Sequence, residues 1–362
     1  MSHRDAIVEW LLEGDPSLRW QVMGDLLGLP EDRVAAERAR VSTNGWGARL
    51  LASQDPDGRW AGALYSPKWT STTYTLLLLE RLGLERGDAR ALAGVRSLWE
   101  GARWYGDGLN LAKSIREPET CITAMLVLLA AAFGYDHQRL DSTVEWLVGQ
   151  QLDDGGWNCE SIRSGSRHGS FHTSISALEA LSTYERWGGS IPVSAATAAG
   201  RRFFLDHRLY RSHRTGEVVD RALCRFPFPP QWHFDIVRGL EHFRAVGAER
   251  DARLEDAVEQ VRRARRSSSV ADVSAIPRPL LVRPRATRPE PMVHLPRHAG
   301  AGGVVGGQSI VASSEPVQAP PRPGCFNGRV PTPTPATTSG PRRLTCSRPP
   351  AEPSRSPPCW WS

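Results

Sequence analysis

No stretch of this chain approaches the roughly 18–20 consecutive apolar residues of a membrane span, so no transmembrane segment is expected. The opening Met1-Ser2-His3-Arg4-Asp5 is charged and lacks the apolar core of a secretory signal. Cysteine is scarce, with six in 362 residues, and three of these (Cys325, Cys346, Cys359) lie near the C-terminus. Cys121, Cys159 and Cys224 form no disulfide framework and suit a reducing compartment. These absences together predict a soluble, cytoplasmic protein. Lysine is rarer still: Lys68 and Lys113 are the only two among 45 basic residues.

The net charge of +6 raises the question of nucleic acid, and its location answers it. Residues 267–362 hold 11 Arg against four acidic groups, which leaves residues 1–266 with 34 basic and 35 acidic groups. A near-neutral body offers no cationic stripe for a phosphate backbone, and no nucleic-acid partner is expected. The same tail carries 19 of the 28 Pro and no apolar periodicity. Such composition buries too little surface to offset its ordering entropy, so 267–362 is expected to be disordered. Its Arg/Pro/Ser-rich text is also what a shifted reading frame in a GC-rich gene would produce.

What the chain does have is a repeated turn. Gln54-Asp55-Pro56-Asp57-Gly58-Arg59-Trp60 returns as Gln151-Leu152-Asp153-Asp154-Gly155-Gly156-Trp157, each time followed by a loop and a strongly apolar helix. Apolar helices are predicted at 71–82, 121–133, 173–186 and 234–246, closing on Gly83, Gly134, Gly188 and Gly247. More polar helices precede or alternate with them at 44–53, 89–102, 140–151, 195–206 and 252–265. A period near fifty residues means hairpins that bury their apolar faces only by stacking.

The apolar helices, such as 121–133, are hydrophobic nearly all round and belong inside, while the alternating ones carry charge on one face and belong outside. That contrast predicts an all-α fold, an α/α toroid over 43–266, with an extended solenoid as the competitor. Residues 1–42 read as a helical extension, with Asp15 as N-cap and Pro16 at the first position of its second helix.

The Gln-x-x-Asp-Gly-Gly-Trp turn resembles the repeat shared by squalene and other triterpene cyclases and by protein prenyltransferase β subunits. The resemblance covers about residues 40–250 and implies a toroid with an apolar cavity suited to an isoprenoid. The cyclase branch needs an Asp-x-Asp-Asp acid, which is absent; Asp55, Asp57, Asp153 and Asp154 read as turn-ordering residues instead. The prenyltransferase branch holds zinc through an Asp-x-Cys pair at one inner-helix start and a His at the next. By that resemblance Glu119 and Cys121, with His172 one repeat on, are the implied zinc ligands, with Glu in place of Asp. Lys113 and Arg116, six and three positions before Glu119, are the implied diphosphate-binding residues.

The implied activity is zinc-assisted prenyl transfer from a diphosphate. A non-catalytic scaffold binding a lipid or a protein partner is the alternative. Several readings stay open. Cys121 taken alone is more often a small buried hydrophobe than a ligand, and Lys113 and Arg116 read more readily as solvated loop charges. Cys159, His168 and His172 form a competing ligand set inside one loop, and His233 could join either site. Trp69 and Trp232 read as hairpin packing or cavity lining, and Phe226-Pro227-Phe228-Pro229-Pro230 as a rigid link or a peripheral membrane contact. Loss of a final hairpin would leave inner helices uncovered, which raises a third reading, a degenerate product without a stable fold.

Overall fold

A computed structural model describes residues 3–267. The expectations for 267–362, disorder and a shifted frame, lie outside the described residues apart from Ser267 itself. Within them the regular structure is helical except for one short antiparallel pair. The chain begins with α1 (His3–Leu12), α2 (Pro16–Gln21) and α3 (Glu31–Ala39). Asp15 caps α2 through the Ser17 N–H, as its sequence position implies, and its second carboxylate oxygen accepts the Trp46 N–H at 2.7 Å. One carboxylate thereby ties the N-terminal segment to the first repeat helix, α4 (Gly45–Ala52).

The repeats follow as α5 (Thr72–Leu82), α6 (Ala89–Gly101), the pair β1 (Arg103–Tyr105) and β2 (Gly108–Asn110), α7 (Thr120–Phe133) and α8 (Leu140–Gly149). After them come α9 (Glu160–Ser164), α10 (Phe171–Arg186), α11 (Ser194–Asp206), α12 (Ile236–Ala245) and α13 (Glu255–Ser267). Gly83 and Gly134 close α5 and α7 in the left-handed conformation that L side chains resist.

The recurring turn is the same object twice. Gln54 Nε2 donates to Gly58 O and to Arg90 O at 2.8 Å each; Gln151 Nε2 donates to Gly155 O and Ala196 O at the same distances. Each glutamine therefore closes its own turn and pins a following helix, α6 or α11. Trp60 Nε1 donates to Leu50 O and Trp157 Nε1 to Leu147 O, so each indole locks back onto the helix before it. The Trp60 N–H meets the Thr72 hydroxyl and the Trp157 N–H the Ser174 hydroxyl, which joins the turn to the following inner helix. Asp57 and Asp154 accept backbone N–H groups two residues on, and Asp154 also takes the Gly169 N–H, so these carboxylates order backbone as expected.

The indoles also explain two glycines. A Cβ on Gly94 would lie 2.8 Å from Trp60 Cζ3, and one on Gly200 would lie 2.8 Å from Trp157 Cζ3. Trp157→Ala is expected to cost about 3–5 kcal/mol by opening a cavity, and Gly200→Ala about 1–3 kcal/mol by overpacking. Urea denaturation measures both. A Gly200→Ala protein as stable as the parent would mean that the indole does not set this spacing.

The starts of α7, α10 and α12 lie together. The first turn of α7 touches the Cys159 loop, which touches the first turn of α10, and the His172 imidazole on α10 accepts the Phe234 N–H just before α12. Helix α7 buries every residue except Cys121 and Ala132 and packs against α5, α6, α8 and α10. Further along, Glu179 of α10 pairs with Arg238 of α12, and Arg81 of α5 pairs with both Glu179 and Glu241 of α12. No helix among the described residues is long and apolar enough to cross a membrane.

Candidate functional site

Glu119 is the residue before α7 and has extended backbone, so its carboxylate is free to turn away from the helix it precedes. It makes no capping bond and is 2% exposed. Its Oε2 lies 3.9 Å from Cys121 Sγ, and its Oε1 is ion-paired with Arg163. Cys159 comes from the loop after the second Gly-Trp turn. Its sulfur accepts the Cys121 N–H at 3.3 Å and lies 3.5 Å from the Thr173 hydroxyl at the head of α10. The short α9 delivers Arg163, which also pairs with Glu160 at 2.5 Å.

The ligand atoms of Glu119, Cys121 and Cys159 all lie within 4.8 Å of one another, and this is the only such group of three among the described residues. Burial pushes the Glu119 carboxyl up, against the pull of Arg163. The contact with Cys159 and then burial raise the Cys121 thiol well above its ordinary range, with the Glu119 charge adding to the effect. Two thiols and a carboxyl in low dielectric with one nearby guanidinium is a site that a divalent cation would relieve. Tetrahedral zinc, with Zn–S about 2.3 Å and Zn–O about 2.0–2.2 Å, has ligand–ligand edges of roughly 3.5–3.8 Å. The sulfur–oxygen separation of 3.9 Å needs only a small adjustment. Two sulfurs and one carboxylate oxygen form a donor set that could hold a divalent metal.

His172 does not belong to this group. It sits one repeat beyond Cys121 at the matching helix start, but equivalent positions on neighbouring helices are an interaxial spacing apart, roughly 8–10 Å. Its ring turns the other way, toward α12: Nδ1 accepts the Phe234 N–H at 2.8 Å and the ring packs edge-on to Trp232. Burial, with His233 and Arg238 nearby, lowers its pKa to about 4. The group of three close enough to share one ion contains Cys159 where the resemblance implied His172. The loop set of Cys159, His168 and His172 is likewise split, since His168 and His172 line a cavity of about 420 Å3 beside α11.

Lys113 and Arg116 are exposed on the segment between β2 and α7. That segment is held by Asn110, which donates to Ile115 O and Glu117 O, and by Arg103, which donates to Ile115 O. The basic group in contact with Glu119 is instead Arg163, for which the sequence carried no signal. Next to the thiols lies an aromatic wall. Tyr65, whose phenol is raised first by burial and then by Cys121, packs on Tyr74; Trp69 packs on Tyr74 and His233; Trp232 stacks on His233 at 3.9 Å. Lys68 Nζ lies 5.5 Å from the Trp232 ring. Trp69 and Trp232 thus join the loops leading into α5 and α12.

Comparison with family models, with curated proteins and with solved structures finds no match to this chain.

Proposed function

We propose that the chain is a zinc protein whose metal is held by Glu119, Cys121 and Cys159, set at one rim of an α/α toroid of the prenyltransferase and terpenoid cyclase type. The observation that carries this reading is the convergence of two thiols and a carboxylate within 4.8 Å of one another, Glu119 and Cys121 from the start of α7 and Cys159 from the loop after the second Gly-Trp turn. Three protein ligands leave a fourth position for an exchangeable group, as in catalytic rather than structural zinc sites. The toroid is supported by the starts of α7, α10 and α12 lying together and by the ion pair of Arg81 with Glu241, which links α12 to α5.

Zinc at this position would lower the pKa of a bound thiol or water. The reaction we favour is prenyl transfer from a diphosphate to such an acceptor. Arg163 would be released from Glu119 as the carboxylate turns to the metal, freeing a guanidinium for an anionic leaving group. Lys113 and Arg116, exposed on the approach to α7, would add to it, and the aromatic wall from Tyr65 to Trp232 would receive the apolar chain. A non-catalytic scaffold is the second reading, and the Arg163–Glu119 pair favours it, because that pair satisfies the carboxylate without a metal.

Elemental analysis after dialysis against dilute zinc tests the metal. One equivalent is expected to be lost, or weakened about 100-fold or more, in each of Glu119→Gln, Cys121→Ser and Cys159→Ser, since even supporting residues cost 10–100-fold. His172→Ala is expected to retain it. Zinc content unaffected by either Cys substitution would remove the enzyme reading. Zinc-dependent release of diphosphate from a prenyl diphosphate then separates enzyme from scaffold.

A further inference from the structure

The 420 Å3 cavity beside α11 is lined by His168, His172, His207 and His213. Two of these imidazoles, His207 and His213, are in direct contact. His207 closes α11 and its Nδ1 lies 2.8 Å from the Phe203 carbonyl oxygen, which makes Nδ1 the protonated nitrogen and Nε2 the acceptor. His213 Nδ1 lies 2.9 Å from that Nε2. The His207 ring is clamped between Phe203, at 4.5 Å, and Phe171, at 5.3 Å. His213 rides on a tight, hydrogen-bonded turn: Ser212 donates to Glu217 O, Gly216 to Ser212 O, and Val219 to Tyr210 O.

We propose that His207 and His213 form a second cation site, for a borderline divalent metal such as zinc or nickel, with its remaining positions open to the cavity. Metal-ligating histidines commonly donate their second N–H to a backbone carbonyl, which orients the ring and sets the tautomer; His207 has that bond. Two imidazole nitrogens bound at about 2.0–2.1 Å in tetrahedral geometry lie roughly 3.3 Å apart. The present 2.9 Å contact opens to that spacing by a small swing of the exposed His213, which gives up its Nδ1 proton and keeps Nε2–H. Nitrogen donors select zinc, nickel and copper over magnesium or calcium. This site is chemically independent of the thiol cluster, and each stands if the other fails.

Nickel(II) and zinc(II) titrations of the full chain, followed by equilibrium dialysis, test it. Two variants serve: His213→Ala, which alters an exposed turn, and His207→Gln, with far-UV circular dichroism to confirm that each is folded. Each is expected to bind one equivalent fewer than the parent chain. The Cys121→Ser/Cys159→Ser chain is expected to keep this nickel equivalent. Equal nickel and zinc stoichiometry in the parent, His213→Ala and His207→Gln overturns the proposal.

Discussion

Glu179→Gln and Arg238→Met are each expected to destabilise the protein by about 3–5 kcal/mol. The Arg238 side chain is 2% exposed and donates to both Glu179 oxygens, at 3.0 and 2.7 Å, and to the carbonyls of His233 and Gln231. Arg81 approaches the same carboxylate at 3.2 Å. Burial alone would raise the Glu179 pKa, yet Arg238 and Arg81 together hold it at about 2. Removing the carboxylate strands a guanidinium in the interior, and removing Arg238 takes the largest compensating charge from Glu179. Breaking one side of such a pair costs more than deleting both. Accordingly, Glu179→Gln with Arg238→Met should be less damaging than the sum of the single changes. Urea denaturation of the three variants reads this directly. Single substitutions costing under about 1 kcal/mol would mean that the pair does not hold α10 against α12.

The second large effect is acid lability between pH 6.5 and 4. His172 and His242 are both held neutral, with pKa lowered to about 4, chiefly by burial. Each has a folded pKa below its unfolded value near 6.5, so the unfolded chain binds the proton first. Stability therefore falls as pH drops below 6.5 and stops falling near pH 4. Two such displacements amount to about 7 kcal/mol together, or roughly 15–25 °C in melting temperature for a body of this size. Glu80 opposes part of this, because burial raises its carboxyl and acid relieves the cost of its charge. Glu179 extends the loss: its depressed pKa contributes stability above 4.5 that disappears between 4.5 and 2. Thermal melts from pH 7 to 4 provide the check. His242 Nε2 is buried without a partner, so His242→Phe should flatten the profile without lowering stability at pH 7. A native profile level from pH 7 to 4.5 would contradict the account.

The repeat helices were legible because their signals are local. Apolar runs and closing glycines place α5, α7, α10 and α12 to within one or two residues of the expected ranges. The roles of Gln54, Gln151, Trp60 and Trp157 follow from the turn itself. The site was half legible. Glu119 and Cys121 are two residues apart on one helix start, so local pattern unites them. Cys159 reaches them only because its loop crosses from the second turn to the head of α7, a non-local event without a sequence period. Arg163 depends on the five-residue α9, too short to leave an apolar rhythm. Glu179 and Arg238 sit in helices read as apolar and interior, where a paired charge looks like an interruption until both partners are placed.

The central claim is that sulfur from Cys121 and Cys159 and oxygen from Glu119 hold one metal. Zinc-edge X-ray absorption on the His213→Ala chain, which lacks the proposed imidazole site, tests it most directly. The account predicts two sulfur scatterers at about 2.3 Å with lighter atoms completing four-coordination, and loss of that sulfur shell in Cys121→Ser/Cys159→Ser. A first shell of nitrogen and oxygen alone, or a sulfur shell unchanged by the double substitution, would contradict it.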